Sequence, residues 1–238
     1  MEFKKNLLNA LSKVDIESND LILDQCEVYK DLVKEWNEKI NLTSITDDVE
    51  MAEKHFFDSI VMSKFINLTN KSVIDVGTGA GFPGLPLKIN DPTIKLTLLD
   101  SLNKRIQFLE KVGSELGLSN VSYLHGRAED YASKADHREK YDVATSRAVA
   151  KLNVLSEYCL PYVKVGGTFV ALKGKDYKNE LKDSEKAIHI LGGKVEKVES
   201  YYLENDDSTH YLVFIKKIKK TPFKYPRQAG KPTKKPLV

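Results

Sequence analysis

The residues best suited to chemistry in this 238-residue chain stand at the ends of short apolar runs. Asp75 lies in the run Val73, Ile74, Val76, and Gly77, Gly79, Gly81 and Gly84 follow it. Glycines at such a turn permit positive φ and let a ligand approach backbone amides. A second run, Leu96 to Leu99, ends at Asp100-Ser101. An acid there can accept both hydroxyls of a vicinal diol. A third ends in Gly126-Arg127-Ala128-Glu129, and a fourth, from Tyr141, ends in Ser146-Arg147-Ala148. Four polar ends together describe a site of backbone amides, carboxylates and a guanidinium. The five histidines are scattered, and Cys26 and Cys159 lack Cys-x-x-Cys spacing. The cysteines read as buried thiols, and no metal site is expected.

The elements that must carry these groups alternate. Strands are predicted at 72–76, 95–100, 121–125, 141–145, 168–172, 194–203 and 209–217. Helices are predicted at 83–90, 102–117, 151–160 and 176–191, with Pro83 at the first helical position. Alternation of this kind gives a mostly parallel sheet with helices on both faces, and ligands bind beyond the carboxyl ends of its strands. The last two strands are separated only by Glu204 to Ser208, so an antiparallel hairpin is expected at the end of the sheet. Residues 1–68 show helical spacing (Leu7, Leu8, Leu11; Leu21, Ile22, Cys26, Tyr29, Leu32, Val33, Trp36), a break at Asn41-Leu42-Thr43 and a capping Asp47/Asp48. Three parts are expected: a helical extension, 1–68; an α/β domain, 69–218; and a tail, 219–238.

Two ligand classes use a glycine turn of this kind. A dinucleotide fingerprint, Gly-x-Gly-x-x-Gly, aligned from Gly77 needs glycine at 82, where this chain has Phe82. The observed Asp-x-Gly-x-Gly-x-Gly resembles motif I of the class I S-adenosylmethionine (SAM) methyltransferases. Seven strands ending in a hairpin suit that class better than a dehydrogenase.

Charge narrows the partner. Nine of the 37 basic residues fall in 216–238 with no acid among them, which leaves 28 basic against 34 acidic side chains in the rest. An acidic body with a basic end points to a polyanion. No apolar run approaches the roughly 18 residues of a membrane helix, and the first residues lack an apolar signal core. A cytoplasmic monomer without membrane contact is expected. No Asn-Pro-Pro-Tyr-type tetrad follows the fourth strand, which argues against exocyclic-amine methylation. An acceptor such as guanine N7 has a free lone pair and needs alignment rather than a base. A small-molecule or protein methyltransferase, and a non-catalytic RNA-binding factor, stay open on the residues alone.

Several stretches coincide with one family. Trp36-Asn37 with Asn41-Leu42-Thr43, His55-Phe56-Phe57-Asp58-Ser59, Asp75 to Pro86, Leu99-Asp100-Ser101 with Lys104-Arg105, Gly126 to Glu129, Ser146 to Ala150, Leu172-Lys173-Gly174, and Tyr225-Pro226-Arg227 with Gly230 and Lys234-Lys235-Pro236 resemble the bacterial small-subunit rRNA guanine-N7 methyltransferases. The resemblance implies a class I, Rossmann-like, seven-stranded mostly parallel sheet with an antiparallel last strand and a helical N-terminal extension. It implies methyl transfer from SAM to N7 of guanine 527 in 16S rRNA, free or in the small subunit. Carried over, Asp75, Gly77, Gly79, Phe82, Asp100, Ser101, Ala128, Glu129 and Arg147 would form the SAM site. Arg147 would also position the reaction, and Arg127, Lys173, Lys224 and Arg227 would face RNA.

Overall fold

The computed structural model describes residues 2–237. Helix α1 (Glu2–Ser12) buries Phe3, Leu7 and Leu11, one face of an amphipathic helix, while Leu8 of the predicted stripe points to solvent. Helix α2 (Asp20–Asn37) is capped by Asn19, whose side chain accepts the Ile22 N–H at 3.0 Å. Helix α3 (Asp48–Met51) is capped by Asp47, which accepts the amides of Val49 and Glu50. It runs on through a π-helical turn, Ala52–Phe57, and a short α4, Asp58–Ile60.

Seven strands follow: β1 (Ser72–Val76), β2 (Lys95–Asp100), β3 (Val121–His125), β4 (Tyr141–Arg147), β5 (Val163–Lys173), β6 (Gly193–Leu203) and β7 (Ser208–Lys217). Their order is β3-β2-β1-β4-β5-β7-β6, with β7 antiparallel to both neighbours and the other pairings parallel. The hairpin thus folds its second strand inward, and β6 becomes the edge. The connecting helices are α5 (Gly84–Asn90), α6 (Asn103–Glu115), α7 (Ala128–Ala132), α8 (Leu152–Cys159) and α9 (Tyr177–Ile190), with a short α10 (Lys231–Lys234) near the end.

Each face of the sheet has its own core. On one face α1, α2 and the 48–62 segment pack with α5 and α6 around Tyr29, Phe56, Phe82 and Phe108. On the other, α8 and α9 cover Ile74, Val76, Phe169 and Val213, with Cys159 and Tyr225. The extension therefore shares the covering of one face with α5 and α6. Its contact with the glycine turn is direct: the Tyr29 hydroxyl donates to the Ala80 carbonyl, and its ring stacks on Phe82 at 5.2 Å. Both cysteines are buried thiols. Among the described residues, no helix is long and apolar enough to cross a membrane.

Although basic in composition, the tail is docked on the body. Thr221, Tyr225, Pro226 and Pro232 are buried. Arg138 donates to the carbonyls of Thr221 and Tyr225, each at 2.8 Å, and Glu139 accepts the Thr221 amide. Apolar side chains spaced among the lysines give the segment a reason to dock.

Candidate functional site

The carboxyl ends of β1, β2, β3 and β4 open into one cleft of about 650 Å³. At its floor the Gly77 and Thr78 amides donate to the Leu99 carbonyl at 2.8 and 3.1 Å, folding the turn over β2. Gly77, Gly79 and Gly81 have φ of 71°, 61° and 99°. A Cβ on Gly79 would meet nothing within 4 Å, because the turn faces open cleft; one on Gly77 would lie 2.6 Å from Val149 Cγ2. The glycines thus leave a cradle that a ligand can fill.

Asp75 does not face the cleft. It is fully buried beneath the turn, where Oδ2 accepts the Thr78 hydroxyl at 2.7 Å and the Gly84 amide at 2.9 Å. Burial pushes its carboxyl up to about 6, against the pull of those hydrogen bonds. Asp75 therefore shapes the turn from below, which corrects its placement among the ligand contacts. It also moves the helix start. The Gly84 amide is bound to Asp75, so α5 begins at Gly84 and Pro83 is the residue before it rather than the first helical one.

Asp100 does reach the cleft wall. Its Oδ2 accepts the Gly79 amide at 2.9 Å and its Oδ1 the Leu102 amide at 2.9 Å, with Arg105 at 3.4 Å. The carboxylate ties β2 to the glycine turn and keeps lone pairs for a diol. Ser101 lines the cleft beside it. Beyond β3, exposed Arg127, Ala128 and buried Glu129 form the next wall. The Ala128 carbonyl is taken by the Tyr162 hydroxyl at 2.6 Å, and Glu129 Oε1 accepts the Gly230 amide at 2.9 Å. Gly230, Thr233 and Tyr158 complete this end. Of the three only Gly230 is marked in the sequence, as part of the family-matching tail stretch; Thr233 and Tyr158 carry no local signal, since they arrive from the tail and α8.

At the opposite end Phe82 is buried, stacked on His55 at 4.7 Å, with the Arg147 guanidinium 5.1 Å above its ring. Arg147 donates to Asp58 Oδ2 at 2.7 Å and to the Lys54 carbonyl at 2.9 Å. Asp58, itself buried, also accepts from Tyr201 at 2.6 Å and bonds His210 at 3.0 Å. Burial alone would raise the Asp58 carboxyl, but the bond to His210 and the Arg147 charge hold it below the usual range. The same bond to Asp58 raises His210. Burial, with the Arg147 charge beside it, pushes His55 down to about 4, so it is neutral at ordinary pH. His55 Nε2 lies 2.8 Å from Thr43 Oγ1, and Asn37 clips the 42–43 loop through both amides. Trp36 packs on Phe108 at 5.6 Å, with Lys39 Nζ 5.8 Å over its ring. The sequence marks His55 and Asp58 only as members of a family motif; nothing local tells that they meet Arg147.

A second cleft of about 630 Å³ shares His55 and the 147–150 loop with the first and adds Lys54, Asp58, Lys173, Glu180 and His210. Lys173 lines it, but its amino group is held by Glu180 at 2.7 Å and the Ala150 carbonyl at 3.0 Å. That bond positions the 147–151 loop and leaves little charge for a phosphate. Arg227 is likewise engaged: its guanidinium forks onto buried Glu157, with Nη2 at 2.6 Å. Both residues are therefore corrected from free RNA-facing cations to internal ties. Lys224 and Arg127 are exposed.

A parallel sheet with a glycine turn, a diol-ready acid at the end of β2 and an inserted antiparallel β7 defines the class I, Rossmann-like methyltransferase fold. Solved structures agree. A SAM-dependent methyltransferase from Aquifex aeolicus superposes with a TM-score of 0.54 at 17% identity, over 76% of this chain and 97% of that one. M. jannaschii TYW2, crystallised with AdoMet, gives 0.53 at 16% identity, over 68% and 77%. Sequence goes further. Residues 22–209 match the model of the family described as rRNA small subunit methyltransferase G. The proteins of that name from Alkaliphilus oremlandii and Clostridium perfringens strain 13 are 54% and 52% identical, over the full length of both chains in each case. The chain belongs to this family. The donor that fold and family imply is SAM, and the open Gly79 cradle, the Asp100 lone pairs and the remaining Glu129 oxygen fit its methionine, ribose and adenine parts.

Proposed function

We propose that the protein transfers the methyl group of SAM to N7 of one guanine of 16S rRNA, guanine 527, in the free RNA or the small subunit, as a cytoplasmic monomer. The observation that carries this is the meeting of two clefts at the 147–150 loop, one lined by the glycine turn and strand-end acids, the other open beside it. A methyl transfer needs donor and acceptor pockets that abut.

SAM supplies an electrophilic methyl on a sulfonium centre. The N7 lone pair needs no proton removed, so the protein's work is alignment and charge. Gly77, Gly79, Phe82, Asp100, Ser101, Ala128 and Glu129 would hold the donor, with Asp75 shaping the turn beneath. Arg147 stands at the junction. Its charge is matched by Asp58, so it can shape the acceptor wall without opposing a base that becomes cationic. Neutral His55 adds a flat face there. In this reading residues 1–68 build the acceptor side, 69–218 hold the donor, and 219–238 close it and carry RNA-facing Lys224 with the exposed Phe223.

The test is labelled methyl transfer from SAM to naked 16S rRNA, small subunits and free guanosine, followed by mapping of the base. Label on one guanine N7, lost in Asp100→Ala, is expected. Label on another atom or on protein, or no transfer to RNA, refutes it.

A further inference from the structure

The C-terminal segment returns across the donor cleft, and its attachment is more elaborate than packing requires. Glu157, on α8, is 1% exposed. Its Oε1 accepts both the backbone amide of Arg227 at 2.8 Å and Nε at 2.9 Å, while Oε2 accepts Nη2 at 2.6 Å. The remaining arm of the guanidinium, Nη1, donates to the Lys235 carbonyl at 2.8 Å. One arginine therefore fixes both ends of the 227–235 loop on one buried carboxylate. Only a planar, five-donor group can do this, which a lysine cannot reproduce.

What the loop carries is placed against the cleft. Gly230, with φ of 80°, donates its amide to Glu129 Oε1 at 2.9 Å. Thr233 Oγ1 lies 2.9 Å from the Tyr158 hydroxyl. Gly230, Thr233, Tyr158 and Glu129 all line the cleft. Glu129 is a buried acid at the end that the proposed function gives to adenosine. Meanwhile Lys231, Lys234 and Lys235 on the same loop are exposed.

We propose that the Glu157–Arg227 ion pair is a latch that holds residues 227–235 as a strap over the adenosine end of the cleft, making both residues positioning residues for the methyl donor. The proposal rests on assignment of this cleft to SAM. The strap fixes Glu129 through the Gly230 amide, which leaves one carboxylate oxygen aimed by its partner rather than by solvent. It also joins two ligands. A strap ordered by donor on its inner side and by RNA phosphates on its three outer lysines couples them, and such coupling is reciprocal.

The experiment uses the full-length chain. Calorimetry of SAM without RNA compares wild type with Arg227→Ala, Arg227→Lys and Glu157→Gln. Amide hydrogen exchange at 228–235 is followed in the ligand-free proteins, and Asp100→Ala serves as the cleft control. Arg227→Ala is expected to weaken SAM binding about ten- to a hundredfold, the usual span of such couplings. Faster exchange across 228–235, and a raised KM for SAM with kcat at saturation little changed, should accompany it. Arg227→Lys should recover part of the affinity, and Glu157→Gln, which keeps the volume of the buried side chain, should weaken binding if Arg227→Ala does not fold. SAM affinity within twofold of wild type in a folded Arg227→Ala or Glu157→Gln protein, with Asp100→Ala weakened, overturns the latch alone. Unchanged affinity in Asp100→Ala as well overturns the donor assignment on which it stands.

Discussion

Removal of the Asp58 carboxylate tests the joint between the helical extension and the sheet. Asp58 is buried and receives Arg147 at 2.7 Å, Tyr201 at 2.6 Å and His210 at 3.0 Å. Asp58→Ala strands a guanidinium that is 17% exposed, together with a phenol and an imidazole. Breaking a buried pair from one side costs about 3–5 kcal/mol. For a chain of this size that lowers Tm by roughly 6–20 °C. The cost has a pH signature. His210 has a raised folded value, so its share of the stability is complete below the unfolded value of about 6.5 and fades as pH rises through the folded value. Asp58 has a lowered folded value, so its share holds above about 3.9 and is lost only in acid. The gap between wild type and Asp58→Ala should therefore be widest near pH 6 and narrower at pH 9, where the Arg147 pair and the Tyr201 hydrogen bond remain. Guanidinium denaturation at both pH values, read at constant m, measures it. A cost under about 1 kcal/mol, or a gap that does not narrow at pH 9, refutes the network. So does an Asp58→Ala/Arg147→Ala double variant whose loss is the sum of the two single losses.

Gly81→Ala should destabilise by about 2–4 kcal/mol, as overpacking plus strained backbone, because its φ is 99° and a Cβ would meet Tyr29, Leu85 and Leu109; thermal melts check this. Asp75 has a raised folded value, so its ionisation weakens the fold as pH climbs from about 4 to about 6. Asp75→Asn should gain on wild type over that range by up to about 3 kcal/mol, and a gain independent of pH in urea titrations refutes the assignment. Replacing Lys231, Lys234 and Lys235 by alanine should flatten the salt dependence of RNA binding by roughly 0.7 for each phosphate no longer neutralised, measured by filter binding across salt concentrations. Phe223, 96% exposed, should act as a stacking platform: Phe223→Ala weakens RNA binding by about 1–3 kcal/mol while leaving the salt slope unchanged.

The amino-acid sequence by itself determined what local chemistry determines. Apolar runs of strand length, helical spacing between them and glycines after Asp75 set the alternating sheet and the turn, because those signals lie within a few residues of one another. The acids at 100 and 129 were legible as a set because open parallel sheets gather their strand ends on one side. Tertiary structure alone decided the partners of the charges. Arg147, Lys173 and Arg227 read as ligand-facing cations in the chain, yet each meets a carboxylate 89, 7 or 70 residues away in sequence. Asp75 reads as a ligand contact, but the close return of α5 places Gly84 over it and buries it under the turn. The tail reads as a basic end meant for a polyanion because lysines dominate its composition. Its few apolar residues and one bidentate arginine instead dock it across the cleft, for burial and a buried carboxylate outweigh the average charge of the segment. Pairing across such distances depends on where the backbone brings two side chains together, and that is fixed only when both faces of the sheet are packed.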